Sequence, residues 1–160
     1  MQSENEFLSR SRQIQAAPRE VFDLLRHPER HHETEPGDWV RAAIDPEPIS
    51  KVGQIFAVHM YAEGAGGPYI MHNTVTVFKP DQVIAWDPGQ PDEHGVVRPG
   101  GWRWRYELTP TEGGITVTLT YDWSAVSTEI RELIGGFPVV DEDFLDRSLA
   151  ALERAVLSED

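Results

Sequence analysis

The sequence predicts an α+β domain: one antiparallel sheet, apolar on a single face, covered by a long C-terminal helix, with two short helices after the first strand. Three observations carry this prediction. From Gly101 to Trp123 the chain reads GWRWRYELTPTEGGITVTLTYDW, where Trp102, Trp104, Tyr106 and Leu108, then Ile115, Val117, Leu119, Tyr121 and Trp123, alternate with polar residues. A period of two marks strands with one dry face. Upstream, folding at the two turns Glu63–Pro68 and Lys79–Gln82 places Phe56, Val58, Met60, Met71, Val75, Val77, Ile84 and Trp86 on one face without adjusting either register. Finally, Leu145, Leu149, Leu152 and Val156 recur at four, three and four residues, the stripe of an amphipathic helix long enough to cover such a sheet.

Taken in order, residues 5–16 (NEFLSRSRQIQA) form a weakly alternating first strand. Pro18 opens a helix, where its missing N–H is no loss, and Val21, Phe22, Leu24 and Leu25 give it an apolar face. Pro28 breaks that helix, a second short turn covers Glu29 to Glu35, and Gly37 ends it. Strands follow at 38–44 and 52–62, separated by the Pro-rich DPEPIS, then at Tyr69–Phe78 and Val83–Asp87. Symmetric closure of the first turn pairs Phe56 with Val75, Val58 with Asn73 and Met60 with Met71; closure of the second pairs Val77 with Ile84 and Val75 with Trp86. Pro88 to Gly101 is Gly/Pro-rich and reads as the longest irregular stretch, a mobile loop. A loop at Thr109–Gly114 closes the last hairpin, pairing Leu108 with Ile115, Tyr106 with Val117, Trp104 with Leu119 and Trp102 with Tyr121. A helical piece then begins near Thr128. Gly135, Gly136 and Pro138 interrupt it, and Asp141, Glu142 and Asp143 lie at the favourable end of the final helix.

The 160 residues fit a single domain, 1–160, large enough to bury roughly 70% of its unfolded surface. There is no cysteine, hence no disulfide or thiolate chemistry. The sequence has no apolar run of membrane-spanning length, and MQSENEFLSRSRQ lacks the basic and apolar blocks of a signal peptide, so a cytoplasmic protein without membrane insertion is expected. Fourteen basic against 27 acidic residues give a formal charge of −13, which argues against binding nucleic acid or anionic lipid surfaces but not against a neutral small molecule.

Several stretches resemble the polyketide cyclase/dehydrase branch of the START-like (SRPBCC) superfamily. They are Ala17-Pro18-x-x-Val21-Phe22, Val75-Thr76-Val77-Phe78-x-Pro80 with Ile84-Ala85-Trp86, and Trp104-x-Tyr106-x-Leu108-x-Pro110 followed by Gly113-Gly114. The resemblance covers nearly the whole chain and implies the helix-grip fold: a curved antiparallel sheet wrapped around the last helix, with an apolar cavity between them. It implies no reaction, because the superfamily holds lipid carriers, hormone and allergen-type binders, aromatase/cyclases and interaction modules, with no shared catalytic set.

The function expected is binding of a hydrophobic aromatic, polyketide-like or lipid molecule in that cavity. Phe56, Val58, Met60, Met71, Asn73, Val75, Trp86, Trp102, Trp104, Tyr106 and Tyr121 on the sheet, with Leu149 and Leu152 on the helix, are the candidate lining. A core built only for packing draws more on Leu, Ile and Val, since buried Trp and Tyr must find polar partners; the rings either pack under the helix or line a pocket. Asn73, Tyr106 and Tyr121 are the candidate polar contacts, Asn73 serving either a ligand or a cavity water and a bent strand. Two alternatives stand beside binding. One is a cyclase or dehydratase using the same cavity, with no catalytic residue assignable and no cofactor motif. The other is a protein-interaction module whose cavity is filled by side chains. No metal site is expected: His59 and His72 are direct cross-strand neighbours, but on the face toward solvent. His31 and His32 read as a solvated cluster, or as groups at the cavity mouth. Arg103 and Arg105 pair with acids on the outer face. A homodimer is as compatible with the sequence as a monomer.

Overall fold

In the computed structural model, which describes residues 6–35 and 37–158, eight strands form one sheet in the order β1-β8-β7-β5-β4-β3-β2, with β6 paired to β5. Every pairing is antiparallel. The strands are β1 (Phe7–Ile14), β2 (Val40–Ala43), β3 (Ile55–Ala62), β4 (Gly67–Lys79), β5 (Val83–Pro91), β6 (Val97–Pro99), β7 (Arg103–Thr111) and β8 (Gly114–Asp122). The helices are α1 (Pro18–Leu25), α2 (Thr128–Ile134) and α3 (Glu142–Leu157), with a 3-10 turn at Pro28–Thr34. The sheet is curled and α3 lies in its concave side: this is the helix-grip fold. Asn5, at the start of the expected first strand, lies outside the described residues, as do the other residues before Glu6.

Local chemistry explains the boundaries. Pro18 takes the first position of α1, and the Glu20 carboxylate accepts the Ala17 N–H at 3.0 Å. Ser127 and Asp141 cap α2 and α3 by accepting the N–H groups of Ile130 and Phe144. The expected α3 stripe is buried in full, Leu145, Leu149, Leu152 and Val156 all facing the sheet core.

The β4–β5 hairpin pairs Val75 with Trp86 as predicted, while the other two hairpins keep their predicted faces but not their predicted partners. β7 and β8 turn on two residues, Glu112 and Gly113, and Gly113 takes φ +85°, the left-handed conformation such a turn requires of its second central residue. Pro110 therefore joins the strand, and Leu108 faces Val117, Tyr106 faces Leu119 and Trp104 faces Tyr121, leaving Trp102 before the strand. In the β3–β4 hairpin Gly67 and Pro68 join β4, so Phe56 faces Asn73, Val58 faces Met71 and Met60 faces Tyr69. Both registers move by two residues. A shift of two preserves the face of every side chain, where a shift of one would invert it.

Two further expectations are corrected. A bulge between Val75 and Val77 makes Thr76 the extra residue, so Phe78 rather than Val77 faces Ile84 and packs on Phe22 at 5.5 Å. The stretch 88–101 is not wholly irregular: β5 runs on to Pro91 and β6 returns along it.

Candidate ligand-binding site

Two ring clusters occupy the concave face. The inner one is built on β3, β5 and β7, where Phe56, Trp86 and Tyr106 are all buried. Trp86 meets Phe56 almost at right angles (5.4 Å, 81°) and Tyr106 at a tilt (5.9 Å). Into the corner between Trp86 and Phe56 comes His31, from the 3-10 turn. Its imidazole lies parallel to the indole (5.0 Å, 15°) and edge-on to Phe56 (5.4 Å, 84°), and only 7% of the residue is exposed. Its Nε2 lies 2.7 Å from the Leu25 carbonyl at the end of α1. A carbonyl only accepts, so Nε2 carries the proton. Burial pushes the pKa down to about 4, and the ring is therefore neutral at ordinary pH.

The turn that delivers His31 is held by one bond of its own and one from α3. The Thr34 hydroxyl donates to the His31 carbonyl at 2.8 Å, and Ser148 of α3 donates to the Thr34 carbonyl at 2.5 Å. Burial pushes the pKa of the neighbouring Tyr106 up, and the Thr34 and Ser148 side chains draw it part of the way back. Polar groups that are costly to bury alone are thus paired with one another.

The outer cluster lies toward the start of α3. Trp39 and Tyr69 are half-buried, and the Trp39 indole N–H donates to the Tyr69 hydroxyl at 2.6 Å, which leaves the phenol's own hydrogen free to donate elsewhere. Phe144 of α3 stands edge-on to Trp39 (5.7 Å) and 6.4 Å from Trp104, which stacks on Tyr121 (4.5 Å, 23°). Trp102 packs on Phe137 (5.7 Å) in the α2–α3 connection. That connection is tethered to the sheet by a long bond, Val139 N–H to the Tyr121 hydroxyl at 3.5 Å; burial pushes the Tyr121 pKa up to about 12.

Of the sequence candidates, Phe56, Val58, Met60, Asn73, Val75, Trp86, Tyr106 and Tyr121 are buried on the sheet, as are Leu149 and Leu152 on α3, while Met71, Trp102 and Trp104 are half-buried. Asn73 is poorly served. Its Nδ2 reaches the carbonyls of Phe56 and Met71 only at 3.4 and 3.5 Å, beyond the usual N–H···O range. His59 and His72 are not direct partners, because the two-residue shift sets His59 against Ile70 and His72 against Ala57; His59 is exposed. His31 is the larger correction: it is not solvated, whereas His32 is exposed. On the outer face Arg103 pairs with Asp87 and Arg105 with Glu107.

Two hollows among the described residues are open grooves outside this space. One, of about 560 Å³, is bordered by Glu29, His32, Asp38 and Arg41; the other, of about 400 Å³, by Glu33, Glu35, Arg154 and Ser158. The enclosed chamber expected between sheet and α3 is not one of them; side chains meet across that space, His31 foremost.

No family model matches the chain. It is 32% identical over 115 residues to the uncharacterized protein Rv0088 of Mycobacterium tuberculosis, a match covering 71% of this chain and 47% of that protein. The chain spans about half the length of the curated relatives it matches. Among solved structures it resembles Ara h 8.0201 (TM-score 0.59, 11% identity, 96% of this chain and 98% of that one) and an AHSA1-like protein from Aeromonas hydrophila (TM-score 0.59, 16% identity, 96% of each). At these identities the likeness is one of fold, and the fold is the helix grip. No helix of the described residues is long and apolar enough to cross a membrane.

Proposed function

We propose that this chain sequesters a hydrophobic, ring-bearing small molecule between the curled sheet and α3. The observation that carries the reading is the aromatic lining of that space, fully buried at one end and only half-buried at the other, where Trp39, Tyr69 and Trp104 lie under Phe144. Half-buried rings at a mouth and a weakly bonded amide at Asn73 suit a guest that completes their burial and hydrogen bonding. Apolar burial, at about 25 cal/mol per Å², supplies the affinity. The guest enters past Phe144 and displaces side chains that fill the space in its absence.

A panel of apolar compounds with and without rings, scanned by thermal melting, tests this reading. A guest present at 100 times its Kd raises stability by about 2.7 kcal/mol. Ring compounds are expected to shift the transition, and mass spectrometry of the protein from its native host should release a discrete hydrophobe. No shift with any compound, and nothing released, would sink the proposal. That outcome would favour the interaction-module reading, which draws support from the filled interior and from Leu133, 85% exposed on α2. An enzyme of cyclase or dehydratase type finds a buried imidazole here. With its N–H held by a carbonyl and a pKa of about 4, however, His31 is a weak base at neutral pH, and binding is the better reading.

A further inference from the structure

We propose, building on the binding reading above, that the His31 imidazole is the built-in occupant of a ring slot. The natural guest is then a flat aromatic molecule with an N–H or O–H donor, a phenol or an N–H heteroaromatic, that takes the imidazole's place between Trp86 and Phe56.

The slot is defined by its walls. Trp86 offers a parallel face and Phe56 a perpendicular edge, two rings set at 81° to each other. An object that stacks on one and meets the other edge-on must itself be planar, and the electrostatic preference of ring pairs for these geometries rewards an aromatic plane. An alkyl chain gains area there but not that preference. The polar end is equally specific. The Leu25 carbonyl, among the last of α1, receives the His31 N–H at 2.7 Å. Helix-end carbonyls lack an intrahelical donor and need one from elsewhere. A guest that displaces His31 without a donor leaves this acceptor buried and unpaired; one bearing an O–H or N–H restores the bond.

Displacing the occupant strains the bonds that hold its turn through Thr34 and Ser148, so the guest must outbind them. His31 sits on a short 3-10 segment between α1 and β2, whose opposite side, at Glu29 and His32, is exposed. The turn's closing bond, Glu35 N–H to the His32 carbonyl, is long at 3.5 Å. The ring is neutral in place, so a neutral guest replaces a neutral group. Once expelled into water, the imidazole regains its ordinary basicity, and binding takes up a proton between pH 6.5 and 4. Affinity therefore strengthens as pH falls through this window, about tenfold at pH 5.5 relative to pH 8. His27 and His32 are the titratable neighbours of the ring, and Arg30 and Glu33 bond each other. Tyr106 on β7 holds its proton; α1, β3 and β5 present the Leu25 carbonyl, Phe56 and Trp86, and Ser148 of α3 bonds the turn at Thr34.

The experiment titrates the full chain by calorimetry with 2-naphthol, naphthalene and 1-decanol at pH 8 and pH 5.5, and follows the His31 ring protons by NMR. Expected are binding of 2-naphthol at least about tenfold tighter than either control, the tenfold gain at pH 5.5, and a His31 signal that moves to that of a solvated, titrating imidazole. His31→Ala, which vacates the slot, should bind 2-naphthol more tightly and without the pH dependence. If its melting transition shows it unfolded, His31→Phe keeps a ring, removes the proton uptake and must still lose the pH dependence. Binding that leaves the His31 signal unmoved, or equal affinity for all three probes, overturns the slot while the wider cavity reading stands. Failure of 2-naphthol to bind while 1-decanol binds does the same. Failure of every probe and every panel compound overturns both.

Discussion

The inner and outer ring clusters are made of the same residue types yet are held differently. Phe56, Trp86 and Tyr106 are closed in by His31 and by hydrogen bonds through Thr34 and Ser148. Trp39, Tyr69 and Trp104 are half-buried beneath Phe144, beside a connection tethered by a 3.5 Å bond. Buried, paired aromatics stabilise a fold; half-buried ones under a lightly held cover leave a place of entry. The same sheet therefore carries a stability anchor and a portal, joined where Trp86 pairs with Trp104 across β5 and β7.

The largest expected effect is the one that breaks this comparison most directly. Trp86→Ala should cost about 3–5 kcal/mol in urea unfolding, the range for emptying an aromatic site in a packed core. Trp39→Ala should cost about 1–2 kcal/mol, since much of that ring already faces water. Equal losses would mean that the two ends do not differ in kind.

Next in size is a pH effect confined to the inner end. The pKa of His31 falls from 6.5 in the unfolded chain to about 4 in the fold, so between these values the unfolded chain binds more protons. The contribution is fully present above pH 6.5 and is lost as pH drops toward 4, amounting to about 3 kcal/mol. The paired carboxylates of Glu33 and Asp38, also held low by their arginines, lose their contributions at lower pH. Unfolding of wild type and His31→Phe at pH 7 and pH 4.5 separates the two. The variant should show most of the upper window flattened; an unchanged slope would mean that His31 is not buried neutral in solution.

That residue also shows where the sequence was legible and where it was not. The strand faces and the α3 stripe could be read because side-chain periods of two and 3.6 survive any even slip in register. Most partners could not, because each residue that joins a strand on one side of a turn moves the pairing by one: Gly67 and Pro68 on β4, and Thr109, Pro110 and Thr111 against Gly114 at the last hairpin, each make a net shift of two. His31 escapes because nothing in the sequence sets the period of the short turn that carries it. In the 3-10 turn the period is three, and Pro28, His31 and Thr34 are its buried face while His32 points away. Trp39 and Phe144 could have been flagged as large aromatics, but only the tertiary fold brings them together.

A smaller effect sharpens the portal. Phe144→Ala removes the ring that bridges Trp39 and Trp104, and should lower stability by only about 1–2 kcal/mol because Phe144 is itself half-buried. Stopped-flow tryptophan quenching by a ring ligand should then show association faster by about threefold or more, with no comparable gain for Phe56→Leu. An unchanged association rate would place the entry elsewhere.

The smallest expected change in stability falls at Asn73, and it is informative because it separates folding from binding. The amide is buried, yet its donors reach carbonyls only at 3.4 and 3.5 Å, so little hydrogen-bond energy is lost when it is removed. Leu has the same number of side-chain heavy atoms, branched at the same carbon, and needs no partner. Asn73→Leu should therefore unfold within about 1 kcal/mol of wild type, on either side. A guest bearing a carbonyl near this position loses a donor that no other group replaces, and its affinity should fall about tenfold, while a hydrocarbon guest of the same shape keeps its affinity. A large stability loss without any change in affinity would make Asn73 a strand-bending residue, with its amide serving the β3–β4 pairing rather than the enclosed space.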